Sequence, residues 1–412
     1  MLELFMKNGK FRNYLLYQTF RGMGSGMFGL FIMWAVHELY GNQMYTGIAV
    51  FLFGIPGVAS FIVGPFIDRH NRVAIIRIAC FAKFMVIGLM FVALHFFTLS
   101  VLVIFAAILA IGIINMFNAA SAAYLPSIVD VQELIAANAG INIFGMVAGL
   151  AMGGILFFVL GGSGDISAIF AIAAMFLFIA FGFTLQMRNG NEEKHKVAEK
   201  PNYLAEMKTG FFYLRKGALA HFVIALVVMS VFEDIQSVNW PLFSDLYAGG
   251  AQGYIVLMFV AMTGSIMGSF IIKQVGEKFS LSKIIIAGLF ASGLVMVAFI
   301  NIIPGDFSRG LLVYALYIGI GSAVGISIQS FRQKFLPESV LGRVGTMTTT
   351  MYCIAGAVGA LLGGVVGTLL DVRTIMYIYA VSYIIIGLGL CLSKKVRQLP
   401  KLSDVVQLND MQ

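Results

Sequence analysis

The chain has 412 residues, of which 60% are hydrophobic and 11% charged, with a mean hydropathy of +0.93 and a formal net charge of +8. A water-soluble domain carries about 25% charged residues, so this composition excludes a water-facing globule and points to an integral membrane protein. The positive charges are scattered over short loops, which excludes a nucleic-acid-binding surface.

Apolar stretches recur along the chain, each about 20 residues long, the length that spans a hydrocarbon core as a helix. The spacing predicts an all-α membrane protein with about twelve transmembrane helices. In order they cover approximately Asn13–His37, Tyr45–Ile67, Val73–Phe96, Leu99–Tyr124, Leu134–Leu160 and Ile166–Met187. A second set covers Ala218–Leu246, Tyr254–Val275, Leu281–Ile303, Gly310–Phe331, Val344–Leu370 and Thr374–Leu392. Turn and charge signals punctuate them, among them Gly41-Asn42, Asp68-Arg69-His70-Asn71-Arg72, Gly161 to Asp165, Gly249-Gly250 and Pro304-Gly305-Asp306.

Between the two sets, Arg188 to Lys216 is the longest hydrophilic stretch, with an amphipathic piece from Tyr203 to Leu214 suited to lying along the membrane surface. The expected organisation is a six-helix half over 1–187, a cytoplasmic linker over 188–217, a second six-helix half over 218–393 and a cytoplasmic tail over 394–412. Of the 27 Lys and Arg, all fall on one side of this layout except Arg309 and Arg373 in outer loops and Arg21 and Lys83 within spans. The positive-inside rule then places both termini in the cytoplasm, and the first helix is expected to remain as a signal anchor in a bacterial inner membrane. Cys80, Cys353 and Cys391 all fall in apolar spans, where buried neutral thiols are expected rather than disulfides or a metal cluster. There is no G-x-x-x-x-G-K-[ST] loop, nucleophile constellation or cofactor loop, so no enzyme activity, metal or cofactor is expected. Any work must come from an ion gradient or from the substrate's own gradient.

The two halves echo each other. Tyr124-Leu125-Pro126-Ser127-Ile128-Val129 reappears as Phe335-Leu336-Pro337-Glu338-Ser339-Val340, and Gly149 to Gly154 has its counterpart in Gly359 to Gly364. Internal repeats of this kind are the usual plan of a secondary transporter. The loop Gly64-Pro65-Phe66-Ile67-Asp68-Arg69-His70-Asn71-Arg72 resembles the G-x-x-x-D-R-x-x-R signature between helices two and three of the major facilitator superfamily. Leu125-Pro126-x-x-Val129 with Ala137-Asn138, and Leu336-Pro337-Glu338 with Gly342-Arg343-Val344, resemble loops of its macrolide-efflux-like branch.

The resemblance implies two pseudo-symmetric six-helix halves, a monomer, and efflux of small amphipathic molecules. It implies a gating role for Gly64, Asp68, Arg69 and Arg72. The alternative for these is a solvated positive loop. Exporters of the superfamily carry a glycine-rich antiporter motif in the fifth helix. Gly140, Gly149 and Gly153 match its spacing, but Gly154 stands where the family has proline and Phe157-Phe158 replace the final glycines. Plain helix packing is the other reading of those glycines and of Gly356, Gly359, Gly363 and Gly367.

Ionisable groups inside a membrane are costly and usually face a cavity with a task. Glu233 and Asp234 lie in the seventh span, on a polar stripe with Ser230, Ser237 and Ser244 and followed by Trp240-Pro241. Adjacent carboxylates away from water suit proton binding and release. The alternative is a long outer helix end with both groups in water. Arg21, near Gln18 in the first span, cannot discharge and must meet water, an acid or an anionic substrate. Many drug exporters of the superfamily have an acid in that helix, so Arg21 opens a second possibility, export of an anionic metabolite such as a carboxylate siderophore. A lipid-handling or non-transporting membrane protein is a third. Asn115, Asn118, Gln329 and Trp240 complete the expected substrate- and proton-binding set. Lys83, mid-span in the third helix, is expected to snorkel or to meet an acid. The expected partners are a small-molecule substrate, protons and membrane lipids.

Overall fold

A computed structural model describes residues 2–59, 63, 66–67, 70–97, 100–130, 165–187, 211–215, 217–401 and 404–405, with scattered positions between 133 and 152. Among these the regular structure is helical and no strand occurs. The helices are α1 (Leu2–Lys7), α2 (Gly9–Tyr40), α3 (Gln43–Gly54), α4 (Arg72–Phe96), α5 (Val101–Met116), α6 (Ala119–Tyr124) and α7 (Ile166–Gln186). Then follow α8 (Leu219–Tyr247), α9 (Gly250–Lys278), α10 (Leu281–Ile302), α11 (Phe307–Phe335), α12 (Glu338–Leu369), α13 (Val372–Leu392) and α14 (Lys394–Arg397). Among the described residues nine helical segments, with Val101–Ser127 counted as one, are long and apolar enough to cross a membrane. The 32-residue α2, interrupted by Gln18, Arg21 and Ser25, is not among the nine, and Gln43–Ala59 is a shorter apolar helix.

Polar side chains start these helices. Asn8, Asn42, Asn71, Ser100, Asp165, Ser280, Asp306 and Asp371 each accept a hydrogen bond from a backbone N–H of the first turn. Each satisfies one of the orphan donors that a helix N-terminus would otherwise leave bare. At the other end of α2, Gly41 adopts a left-handed conformation at φ 58°, and its N–H bonds His37 O.

Two sequence expectations change. The second span does not run on as one α-helix: after Gly54 it tightens into a 3-10 helix over Ile55–Ala59, where Pro56 has no N–H to offer an α-helical ladder. The fourth span is broken at Phe117-Asn118 into α5 and α6, followed by a 3-10 turn over Leu125–Ser127. The fifth span and the linker from 188 to 210 lie outside the described residues, apart from those scattered positions, so the Gly153 and Tyr203–Leu214 expectations fall largely there.

The chain divides into two compact units, Met1–Glu199 and Lys200–Gln412. In the first, α2 and α4 both pack on α7, while α3 packs on α5. In the second, α8 and α10 both pack on α13, while α9 packs on α11. The same helix order therefore gives the same neighbours twice, which is the structural form of the repeat read in the loops.

In the second unit α8 and α12 pack backbone against backbone. A Cβ added to Gly359 would meet the Val231 backbone, with Cα at 2.9 Å, and one added to Gly363 would lie 2.8 Å from Ile235 Cα. These glycines let the two backbones touch, as small residues do at membrane helix contacts. In the first unit Gly112 of α5 does the same against Phe53 O, 2.8 Å from its added Cβ.

Candidate functional site

In the first unit a polar network crosses three helices. Arg21, near the middle of α2, donates through Nε to Gln18 Oε1 at 2.9 Å and through Nη1 to Asn118 Oδ1 at 3.0 Å. Gln18 Nε2 donates to Tyr14 Oη at 2.8 Å, and Tyr14 Oη donates to Ser121 O at 2.8 Å. Tyr17 Oη lies 3.2 Å from Ser121 Oγ, and the Arg21 guanidinium carbon stands 5.8 Å from the Tyr17 ring centre. The break after α5 makes this possible. It turns Asn118 and Ser121 out of the α5 ladder and toward α2, while Asn115 remains on the last turn of α5.

Lys83 joins the network from α4. Its ammonium donates to Asn115 Oδ1 at 2.7 Å and to Ser25 Oγ at 3.2 Å, and Asn118 Nδ2 reaches the same Asn115 oxygen at 3.4 Å. Lys83 is 2% exposed, so it does not snorkel, and its partners are neutral. That corrects both expectations for it. The Asn115–Asn118 contact thus links the partner of Lys83 to the partner of Arg21.

In the second unit the polar stripe of α8 is flanked on both sides. Glu233 stands at the middle of Leu219–Tyr247, which places it well away from either helix end, and its side chain remains accessible. Tyr383 Oη of α13 donates to Glu233 Oε1 at 3.3 Å. Tyr383, Tyr379 and Tyr317 share their hydroxyls in a buried triad, with Tyr317 also bonded to Tyr379, and Tyr383 Oη at 3.2 Å from Tyr317 and 3.0 Å from Tyr379. On the other side, Asp234 faces Gly356 of α12, and Ser230 Oγ donates to Tyr352 O at 3.4 Å. Ser237 Oγ bonds back to Asp234 O at 3.1 Å, whereas Ser244 is buried and closes the helix end by donating to Gly250 O at 2.9 Å.

The other expected residues disperse. Trp240 is 3% exposed; it stacks on Phe243 and packs at a tilt against Phe299 and Tyr314 rather than joining the carboxylates. Gln329 is exposed on α11, twelve residues or about 18 Å along the helix from Tyr317. Gly64, Asp68 and Arg69 lie outside the described residues. Arg72 is described, and its Nη1 donates to Ala123 O at 3.0 Å, tying the start of α4 to the end of α6. Cys80 is buried, Cys353 and Cys391 are partly exposed, and all three are free thiols. Among the described residues no group of His, Cys, Asp and Glu is arranged to hold a metal.

Sequence reasoning missed the tyrosines. Tyr14 precedes Gln18 and Tyr17 precedes Arg21 by four residues each, and Tyr379 and Tyr383 are four apart, so each set shares one helix face. That spacing was a readable signal. In an apolar run, however, it equally suits packing.

The Major Facilitator Superfamily profile matches residues 14–360. The chain belongs to the major facilitator superfamily. None of the curated proteins compared matches the sequence. Among solved structures, this superfamily member is similar to the nucleoside transporter NupG (D323A mutant) with a TM-score of 0.74 at 15% identity, covering 92% of this chain and 98% of that one. It is similar to the D-xylose-proton symporter with a TM-score of 0.67 at 13% identity, covering 95% and 97%. It is similar to the POT family transporter PepTSo with a TM-score of 0.68 at 12% identity, covering 93% and 97%. At these identities the likeness is one of fold: an all-α, multi-pass membrane transporter.

Proposed function

We propose that this protein is a proton-coupled secondary transporter that exports small amphipathic molecules by alternating access. Glu233 and Asp234 are its proton-binding pair. The observation that carries this reading is the position of Glu233. It is an accessible carboxylate at mid-helix in α8, beside Asp234 and within hydrogen-bonding reach of Tyr383. Maintaining such a group in an apolar helix costs several kcal/mol, a cost that a proton-carrying role accounts for. Interacting neighbouring carboxylates titrate in two steps that belong to the pair rather than to either group.

The loops that resemble the macrolide-efflux-like branch support the outward direction. The Lys and Arg distribution supports a bacterial inner-membrane orientation with both termini and the 188–217 linker inside. Two six-helix halves over 1–187 and 218–393 fit the repeated packing within each unit. The test is uptake into inverted membrane vesicles under an imposed pH gradient, screened over a panel of amphipathic solutes. At least one solute is expected to accumulate with the gradient and to equilibrate when it is collapsed. Gradient-independent movement of every transported solute would reject proton coupling.

A further inference from the structure

The mid-helix charges of α2 and α4 are of one sign. Arg21 and Lys83 sit near the centres of α2 and α4. The acidic residues of that half up to position 187 are Glu3, Glu38, Asp68, Asp130, Glu133 and Asp165, all at span ends or in loops. Two positive groups are therefore gathered around one pair of asparagines, and their hydrogen-bond partners within this half are neutral: Gln18, Asn118, Asn115 and Ser25. Neutral amides offer dipoles, not a compensating charge, and a buried unpaired cation is among the costliest groups a membrane protein can carry. Arginine cannot relieve this by losing its proton.

The donors are also under-used. Among the described residues, Lys83 directs its three N–H groups at two oxygens, and Arg21 spends Nε and Nη1 of a five-donor fork. Arg21, Gln18, Asn115 and Asn118 remain partly exposed, while Lys83 lies beneath them. We infer that Arg21 and Lys83 form an oxyanion-binding site, in which a carboxylate or phosphate group of the substrate docks on the guanidinium and takes over the amide oxygens' place as acceptor, with the Lys83 charge behind it. This deepens the transport reading by fixing the chemical class of the solute. It rests on that reading only for the solute's passage, since binding is measured without transport or a gradient.

Full-length protein in lipid nanodiscs is titrated at neutral pH with succinate, with inorganic phosphate and with uncharged succinamide, following thermal unfolding. Saturable stabilisation by succinate or phosphate but not by succinamide is expected, and the tighter of the two distinguishes a carboxylate from a phosphate site. Arg21→Gln and Lys83→Met should each weaken that anion about ten- to a hundredfold, the worth of a charge-assisted hydrogen bond. Arg21→Lys should retain more binding than Arg21→Gln. Asn115→Asp places an internal carboxylate against Lys83 and beside Asn118, the partner of Arg21, so it should raise the unfolding temperature without ligand and abolish anion binding; this variant decides the matter if Lys83→Met does not fold. Equal stabilisation by succinamide, no stabilisation by any of the probes, or undiminished anion binding in Asn115→Asp would overturn the inference. The proton-coupling proposal would stand or fall separately, on the vesicle experiment.

Discussion

Asp234 Oδ2 lies 2.5 Å from the point that a Cβ on Gly356 would occupy, so the carboxylate has its place against α12 only because residue 356 has no side chain. One turn on, the nearest atoms to Gly359 belong to the Val231 backbone, which cannot swing aside. The two glycines should therefore respond differently to the same change. Gly356→Ala is expected to turn the Asp234 side chain away, altering proton-driven transport with little loss of stability. Gly359→Ala must separate α8 from α12 and should cost about 1–3 kcal/mol, as overpacking does. Thermal unfolding and gradient-driven transport, measured on both, check this. Equal destabilisation by the two would show that Asp234 is as rigid as the backbone.

Tyr383 is the described hydroxyl donor to Glu233, and it belongs to a buried triad with Tyr379 and Tyr317. Tyr383→Phe removes that donor; Tyr317→Phe leaves it in place. Tyr383→Phe should slow gradient-driven transport about two- to tenfold, the worth of one hydrogen bond, and Tyr317→Phe should slow it less. Initial rates in vesicles decide the order.

Arg72 fastens the start of α4 to Ala123, immediately before the Tyr124-Leu125-Pro126 turn. It lies at a helix terminus, away from the mid-helix charges. Arg72→Ala should slow transport severalfold while leaving equilibrium solute binding nearly unchanged, because it loosens a switching contact rather than a binding one. A large loss of binding with unchanged turnover would assign it to the substrate site.

The spans were legible because lipid leaves the backbone one solution, a helix of fixed length, and that length is countable. Arg21, Asn115, Asn118, Glu233 and Asp234 were legible for the same reason: a polar group in an apolar run stands out. The break at Phe117-Asn118 was not, since no glycine or proline marks it and the proline comes only several residues later. Lys83 was noticed but its partners were not. Ser25 and Asn115 lie 58 and 32 residues away in sequence, and only tertiary packing joins them. The tyrosine triad was hidden because an aromatic residue reads as grease until its hydroxyl is seen to meet another.

Asp371 caps α13, accepting from Thr374 Oγ1 and, at 3.0 Å, from Thr374 N. These bonds, the side-chain one foremost, hold its carboxyl below the usual range. A depressed folded-state value stabilises the protein above the unfolded value of about 3.9, and the benefit disappears as pH falls through the folded value. Asp371→Ala should thus lower stability by roughly 0.5–2 kcal/mol at neutral pH. The gap from the parent protein should narrow as pH drops below about 4. Paired unfolding curves across pH test this, and a gap that stays constant into acid would contradict it.

The central claim is that the α8 carboxylates couple proton movement to transport. The most direct measurement is solute accumulation against its gradient, in vesicles with an imposed pH difference, by the double variant Glu233→Gln, Asp234→Asn. The account predicts that accumulation and its response to pH are abolished while downhill exchange of the same solute persists, because the conformational cycle itself does not need the charges. Accumulation at the full parental rate by the doubly neutral protein would contradict it and move the coupling site elsewhere in the chain.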